Sequence, residues 1–271
     1  MPGAAPDDID QAHLAALLDG ARAAALRAGD AILAIAREGP CEVHSKTDAS
    51  PLTRADLAAD AILTEALHAL EPHMPVVSEE TTCDLTALPR RFWLVDPLDG
   101  TREFIAGNGE YTVNIALIED GLPVLGVVHA PARGVTYSAA RGVGAWRTDA
   151  KGTCAISACA DGPLVVAASR SHSGPSLASF LRTLPPHTLV ELGSSLKLCL
   201  VADGSAQLYP RLGPTCWWDT AAAHAIVLEA GAQLLTLAGE PLRYGGDSPL
   251  NPSFVCTSLP RPIWTAAPDC A

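Results

Sequence analysis

Apolar residues recur near every 3.6 positions over residues 7–38, where Leu14, Leu17, Leu18, Ala21, Ala25, Ala28, Ile32 and Ile35 share one face. That spacing predicts a long amphipathic helix, which Gly39-Pro40 ends. Val43 to Pro51 reads as a strand followed by a loop. Thr53 can cap a second helix, with Asp56 three residues on as an approximate capping box and Leu57, Ile62, Leu63 and Leu67 among its apolar positions. Pro75-Val76-Val77 predicts a short strand that ends in Ser78-Glu79-Glu80, and the apolar run Phe92-Trp93-Leu94-Val95 predicts a buried strand leading into Asp96. Thr112–Ile118 and Val124–His129, joined through Gly121, read as an antiparallel hairpin. Val135–Ser138 and Ala145-Trp146 extend the meander, with Gly142 and Gly144 at a turn. The first half is therefore expected to layer helices on a mostly antiparallel sheet.

The texture changes around residues 150–163, a polar connection containing Lys151-Gly152 and Asp161-Gly162-Pro163. Beyond it strands and helices alternate. Strands are expected at Leu164–Ala168, Thr188–Leu192, Ala206–Tyr209 and Ala232–Leu237, and helices at Pro175–Leu184, Ser194–Asp203 and Asp219–Ala230. This βαβα rhythm predicts a second α/β unit. The chain thus divides into an N-terminal α+β half, residues 1–160, and a C-terminal α/β half, residues 161–271. The proline-bearing tail, with Pro260, Pro262 and Pro268, reads as irregular.

A 271-residue chain that is 48% hydrophobic and 18% charged is globular rather than disordered. No window approaches the roughly 18 continuous apolar residues of a membrane span. The start, with Asp7, Asp8 and Asp10, lacks the basic and apolar regions of a signal peptide, so a cytoplasmic protein is expected. A net charge of −12 argues against a nucleic-acid binder. It leaves room for an anionic small molecule wherever bound metal supplies positive charge. The eight cysteines form no C-x-x-C pair and read as free thiols. A monomer and a homodimer are both compatible with the sequence, and peripheral attachment to the inner membrane stays open although no anchor is visible.

Candidate chemistry starts at Asp96-Pro97-Leu98-Asp99-Gly100-Thr101. A buried strand that ends in two acids puts negative charge where open α/β sheets bind ligands. Pro97 fixes its own φ and Gly100 lets the backbone bend, so Asp96 and Asp99 can converge with the Leu98 carbonyl between them. An all-oxygen set of this kind suits Mg²⁺. An Asx-rich turn explains the same residues more plainly. Glu79 follows one strand and Asp219 opens a helix after Trp217-Trp218, where an aspartate also serves as an N-cap. Strand alternation points Glu79 and Glu80 in opposite directions. Backbone N–H groups of Gly100, Thr101 and Arg102, opening a short helix, can cradle a phosphate.

Ser78-Glu79-Glu80, Asp96–Thr101 and Trp218-Asp219-Thr220-Ala221-Ala222, in this order and spacing, resemble the signature series of the inositol monophosphatase superfamily. The resemblance covers about residues 10 to 255. Lys46–Thr53, Ser169-Arg170-Ser171-His172, Gly193-Ser194-Ser195-Leu196-Lys197 and Gly109–Ile118 look like its bacterial 3′(2′),5′-bisphosphate nucleotidase branch. The resemblance implies the layered αβαβα sandwich shared with fructose-1,6-bisphosphatase. It also implies a phosphatase that converts adenosine 3′,5′-bisphosphate, a by-product of sulfate assimilation, to AMP and phosphate by attack of a metal-activated water. Glu79, Asp96 and the Leu98 carbonyl would hold one Mg²⁺, and Asp96, Asp99 and Asp219 a second, two or three ions in all, with Li⁺ inhibiting. Asp56 and Thr101 would position the nucleophilic water. His172, Ser194 and Lys197, with Asp219, would contact the nucleotide, and Arg211 its 5′-phosphate. Lys197 and Arg211 also read as solvated surface charges, and Lys46 as a balance to the acids or a substrate contact. The rival activities on the same scaffold are inositol-1-phosphate and fructose-1,6-bisphosphate hydrolysis. A non-catalytic nucleotide sensor is the alternative of another class.

Overall fold

The computed structural model describes residues 9–39, 43–45, 51–81, 84–170 and 175–259. In chain order the elements are α1 (Gln11–Arg37), β1 (Val43–Ser45), β2 (Pro51–Thr53), α2 (Arg54–Leu70), β3 (Val76–Ser78), β4 (Arg91–Asp99), α3 (Thr101–Ala106) and β5 (Thr112–Glu119). They continue with β6 (Leu122–Ala130), β7 (Val135–Ala140), β8 (Gly144–Asp149), β9 (Gly152–Ala155), β10 (Leu164–Ser169), α4 (Pro175–Leu181) and β11 (His187–Leu192). The last are α5 (Leu196–Ala202), β12 (Leu208–Arg211), α6 (Trp217–Glu229), β13 (Gln233–Thr236) and β14 (Phe254–Thr257).

Strands β3 to β9 form one seven-stranded sheet in sequence order. Only β3 and β4 run parallel in it; every other neighbouring pair is antiparallel. The β5–β6 hairpin turns on Asp120 and Gly121, both at positive φ, which matches the twist of the flanking strands. Side-chain alternation along β4 divides the core. Trp93 and Val95 face the apolar stripe of α1 and α2, while Phe92 and Leu94 face α6. Helix α6 comes so close to β6 that a Cβ on Gly126 would stand 2.0 Å from the Ala222 carbonyl oxygen. Only glycine permits that approach.

The second sheet has the order β11-β10-β12-β14-β13. Helices α5 and α6 lie between the two sheets, in a cluster that includes Cys199, Ile226, Leu234 and Phe254. Phe180 of α4 covers the outer face against Val166, Leu208 and Val255. The layers therefore read α1/α2, sheet, α5/α6, sheet, α4, which is the αβαβα sandwich expected from the sequence.

Several local expectations change. Strand β4 does not stop at Asp96 but runs to Asp99, with a bulge between the two acids that accommodates Pro97. The second half is not a simple parallel βαβα unit, because β14 inserts antiparallel between β12 and β13. Strands β9 and β14 had no expectation. β9 is exposed throughout and carries no burial pattern, and β14 lies just before the proline-bearing tail. Helix α6 starts at Trp217 with Cys216 as its cap, so Asp219 is the third helical residue rather than the opening one. The five cysteines among the described residues are free thiols.

Candidate active site

Three side chains from two distant parts of the sequence, the end of β4 and the start of α6, meet at one site. Oxygens of Asp96, Asp99 and Asp219 all lie within 4.8 Å of one another. The bulge in β4 aims both of its acids the same way, despite strand alternation. Asp96 is 1% exposed, and its Oδ1 accepts from the Leu98 N–H at 3.0 Å. Asp219 is delivered by the first turn of α6, where Oδ2 accepts from the Cys216 N–H at 2.7 Å. The capping and cluster readings of Asp219 thus hold together.

Glu79 follows β3 in a turn rather than in the strand, so alternation does not govern it. Its N–H donates to the Val95 carbonyl at 3.1 Å, which lays it beside Asp96. A hydrogen bond between the Glu79 and Asp96 carboxyls joins it to the cluster.

The electrostatics report the crowding. Burial lifts the Asp96 pKa well above the usual carboxylate range, and the charges of Glu79, Asp99 and Asp219 add to it. Burial also raises Asp219 to about 8, helped by Asp99 and opposed by the Cys216 N–H. Burial raises Asp99 less, because Lys197 and the Ser195 N–H favour its charged form. Without cations, these acids cannot all ionise cheaply.

The Asp99 Oδ2 atom is surrounded by donors. The Ser195 N–H donates to it at 2.6 Å, and Thr112 Oγ1 and Asn114 Nδ2 each lie 3.4 Å away. None of these three was among the expected site residues. The available signal was the alternation of Thr112 and Asn114, which puts both on the face of β5 that flanks Asp99.

Asp56 and Thr101 meet across 45 residues of sequence, the Thr101 hydroxyl donating to Asp56 Oδ1 at 3.1 Å. Thr101 Oγ1 is also 3.2 Å from the Leu98 carbonyl oxygen. Asp56 is 1% exposed, and its Oδ2 accepts from both the N–H and the hydroxyl of Thr53 at 2.7 Å. The same contacts close the capping box of α2, so one carboxylate caps a helix and orients a threonine. Gly100, at φ 91°, turns the chain from β4 into α3, whose first amides have no side-chain cap.

Asp99, Gly100, Thr101 and Asp219 line a cleft of about 590 Å³ that also takes in Glu79, Arg102, Ser194, Lys197 and Arg211. Lys197 and Arg211 are 5% and 8% exposed, so neither is a solvated surface charge. Burial lowers the Lys197 pKa to about 8, against the pull of Asp99. The Lys197 ammonium donates to the Ser194 carbonyl and sits 5.6 Å from the centre of the Tyr209 ring. Arg211 donates to the Pro214 carbonyl at 2.8 Å, while its buried Nε has no hydrogen-bond partner among the described residues. His172 and Lys46 lie outside the described residues.

The chain is similar to known proteins over most of its length. Residues 13–266 match a family model described as the inositol monophosphatase family. The 3′(2′),5′-bisphosphate nucleotidase CysQ of Escherichia coli K12 is 48% identical over 243 residues, 88% of this chain and 98% of that protein. Its Salmonella typhimurium counterpart is 49% identical over 237 residues, covering 86% and 96%. Among solved structures, CysQ from Bacteroides thetaiotaomicron superposes with a TM-score of 0.78 at 38% identity, over 91% of this chain and 98% of that one. Staphylococcal IMPase-II has a TM-score of 0.76 at 24% identity over 93% of each chain, a likeness of fold.

Proposed function

The chain belongs to the inositol monophosphatase family, and on that premise we propose that it is a Mg²⁺-dependent 3′(2′),5′-bisphosphate nucleotidase hydrolysing adenosine 3′,5′-bisphosphate to AMP and phosphate. The observation that carries this reading is the buried meeting of Asp96, Asp99 and Asp219 within 4.8 Å. The substrate follows from the 48% identity to a named bisphosphate nucleotidase, against 24% to the staphylococcal inositol monophosphatase.

The donor set fits a hard divalent cation: carboxylates and a main-chain carbonyl, all oxygen. Glu79, Asp96 and the Leu98 carbonyl would hold one ion, and Asp96, Asp99 and Asp219 a second. Bound Mg²⁺ supplies positive charge for the phosphoryl oxygens and lowers the pKa of water. The protein groups supply orientation. The Thr101 hydroxyl donates to Asp56, which leaves its lone pair to accept from the attacking water. Asp56 is held in place by the two Thr53 donors. The amides that open α3 receive phosphate oxygens, and the buried Lys197 and Arg211 cations receive the rest of the nucleotide. Water, not a side chain, is the nucleophile.

No helix among the described residues is long and apolar enough to cross a membrane. A cytoplasmic location, a role in sulfur metabolism and inhibition by Li⁺ belong to the same proposal. Phosphate release from adenosine 3′,5′-bisphosphate, inositol 1-phosphate and fructose 1,6-bisphosphate under varied Mg²⁺ tests it. The nucleotide should have the highest kcat/KM, and EDTA should abolish turnover. Preference for a sugar or inositol phosphate overturns the substrate, and turnover that survives EDTA overturns the metal.

A further inference from the structure

Glu110 lies between α3 and β5, does not line the cleft and is only 4% exposed. Its N–H donates to Asn108 Oδ1 at 2.9 Å. One carboxylate oxygen accepts from the Gly193 N–H at 2.8 Å. The other is 3.1 Å from the Arg133 guanidinium and 2.9 Å from that of Arg170. One side chain thus ties together segments that follow β6, β10 and β11.

The segment it reaches through Gly193 is tightly determined. A Cβ on Gly193 would stand 2.8 Å from the Glu110 carbonyl oxygen and 3.0 Å from the Glu110 Cβ. Ser194 is held at φ 49°, in the left-handed region. The next residue, Ser195, donates its N–H to Asp99 at 2.6 Å, and its hydroxyl is 2.8 Å from both Asn114 Oδ1 and Thr112 Oγ1. The Glu110 carbonyl oxygen is also 3.1 Å from where a Cβ on Gly100 would sit. Glu110 is therefore wedged between the residue that follows Asp99 and the segment whose amide aims at Asp99.

We propose that Glu110 is a positioning residue for the metal-dependent reaction: through Gly193 it sets the Ser195 amide that orients the Asp99 carboxylate. This rests on the reading that the acid cluster binds Mg²⁺. The Arg133 and Arg170 side chains are 41% and 47% exposed, against 5% for that of Glu110, so water can solvate the two guanidinium groups when their pairs with Glu110 are lost. The Gly193 N–H is buried and bonds to Glu110, so withdrawing that acceptor leaves a buried donor short of its partner.

Two substitutions separate these roles. Glu110→Asp keeps the charge but draws the carboxylate back by one methylene from Gly193. Glu110→Gln loses the charge but keeps the length and an acceptor oxygen. Mn²⁺, titrated into the full chain without substrate and followed by its paramagnetic resonance, reads the site directly, with kcat measured alongside. Glu110→Asp should raise the Mn²⁺ dissociation constant roughly tenfold or more and lower kcat, as loss of a group that orients a metal ligand does. Glu110→Gln should stay near wild type. The reverse order, or wild-type Mn²⁺ affinity in Glu110→Asp, overturns the proposal. If Glu110→Asp does not fold, amide hydrogen exchange in Glu110→Gln carries the test. Gly193 protection and Mn²⁺ affinity should be kept or lost together, and one without the other overturns it. A wild-type chain that neither binds Mn²⁺ nor releases phosphate would instead overturn the metal-dependent reading itself.

Discussion

Asp219→Asn separates the charge of the acid cluster from its shape. The Asp219 carboxylate accepts from the Cys216 N–H at 2.7 Å, and a carboxamide oxygen can accept from the same group, so the start of α6 survives. What disappears is an acid whose pKa burial, and then Asp99, raise from 3.8 to about 8. At pH 7 the metal-free folded chain keeps a proton there that the unfolded chain has released. The linkage cost is roughly 1.4 kcal/mol per pH unit between 3.8 and 7, about 4 kcal/mol in all. The sign follows from the raised folded pKa. The contribution to stability is intact below the unfolded value of 3.8 and is lost as pH climbs to about 8. In EDTA, Asp219→Asn should therefore melt above wild type at pH 7 to 8, by on the order of 10 °C at about 2–4 °C per kcal/mol. The gap should close towards pH 4. Saturating Mg²⁺, worth about 2.7 kcal/mol per ion at a hundred times its dissociation constant, should raise the wild-type Tm more than that of the variant, which loses the ion held through Asp219 and keeps the one held by Glu79, Asp96 and the Leu98 carbonyl. Scanning calorimetry from pH 4 to 9, with EDTA or Mg²⁺, measures all of this. A variant that melts below wild type in EDTA, or that gains as much from Mg²⁺, would refute the idea that this carboxylate is a liability until a cation arrives.

Thr101→Ala should lower kcat by about 10²-fold or more with Tm and KM little changed, and Thr101→Ser should recover most of the loss in steady-state assays. Arg211→Met should raise KM for adenosine 3′,5′-bisphosphate roughly tenfold or more, the value of a lost charge-assisted hydrogen bond. The same variant should leave KM for adenosine 3′-monophosphate unchanged, because that substrate has no 5′-phosphate. Gly126→Ala should destabilise the chain by about 1–3 kcal/mol or more in urea unfolding, since the added Cβ meets the Ala222 carbonyl oxygen at 2.0 Å.

The long-period features of this protein were legible in its sequence, and the reasons are physical. The apolar face of α1, the α2 capping box and the β5–β6 turn are each written within one continuous stretch of chain, where periodicity and turn chemistry act locally. The acids at 79, 96, 99 and 219 were legible as chemistry because they sit in three short motifs whose order and spacing form a series, although each alone reads equally well as a cap or turn residue. Burial of Lys197 and Arg211 was not legible, since a cation looks the same in sequence whether its helix faces water or a cleft. The mixed pairing of the second sheet escaped for a similar reason. A four-residue strand such as β14 gets its neighbours from the fold around it, and alternation along the chain cannot tell parallel from antiparallel insertion.

Glu110 and Ser195 escaped because they act on their surroundings rather than on a ligand. Glu110 reads as one more acid in a chain of net charge −12, and Ser195 contributes a main-chain amide that any residue but proline possesses. Their value comes from where the chain is forced to go: past a glycine with no room for a side chain and a serine held at φ 49°. A cluster of buried acids makes such support necessary. Mutual repulsion pushes the carboxylates apart, so each has to be held by donors that do not themselves give way. The described contacts divide that work between the Cys216 amide for Asp219, the Leu98 amide for Asp96 and the Ser195 amide for Asp99. All three are main-chain groups anchored in regular structure or pinned by a neighbour. Backbone amides hold each of the three acids against that repulsion, and at Asp99 the Lys197 charge and the Thr112 and Asn114 side chains add to them.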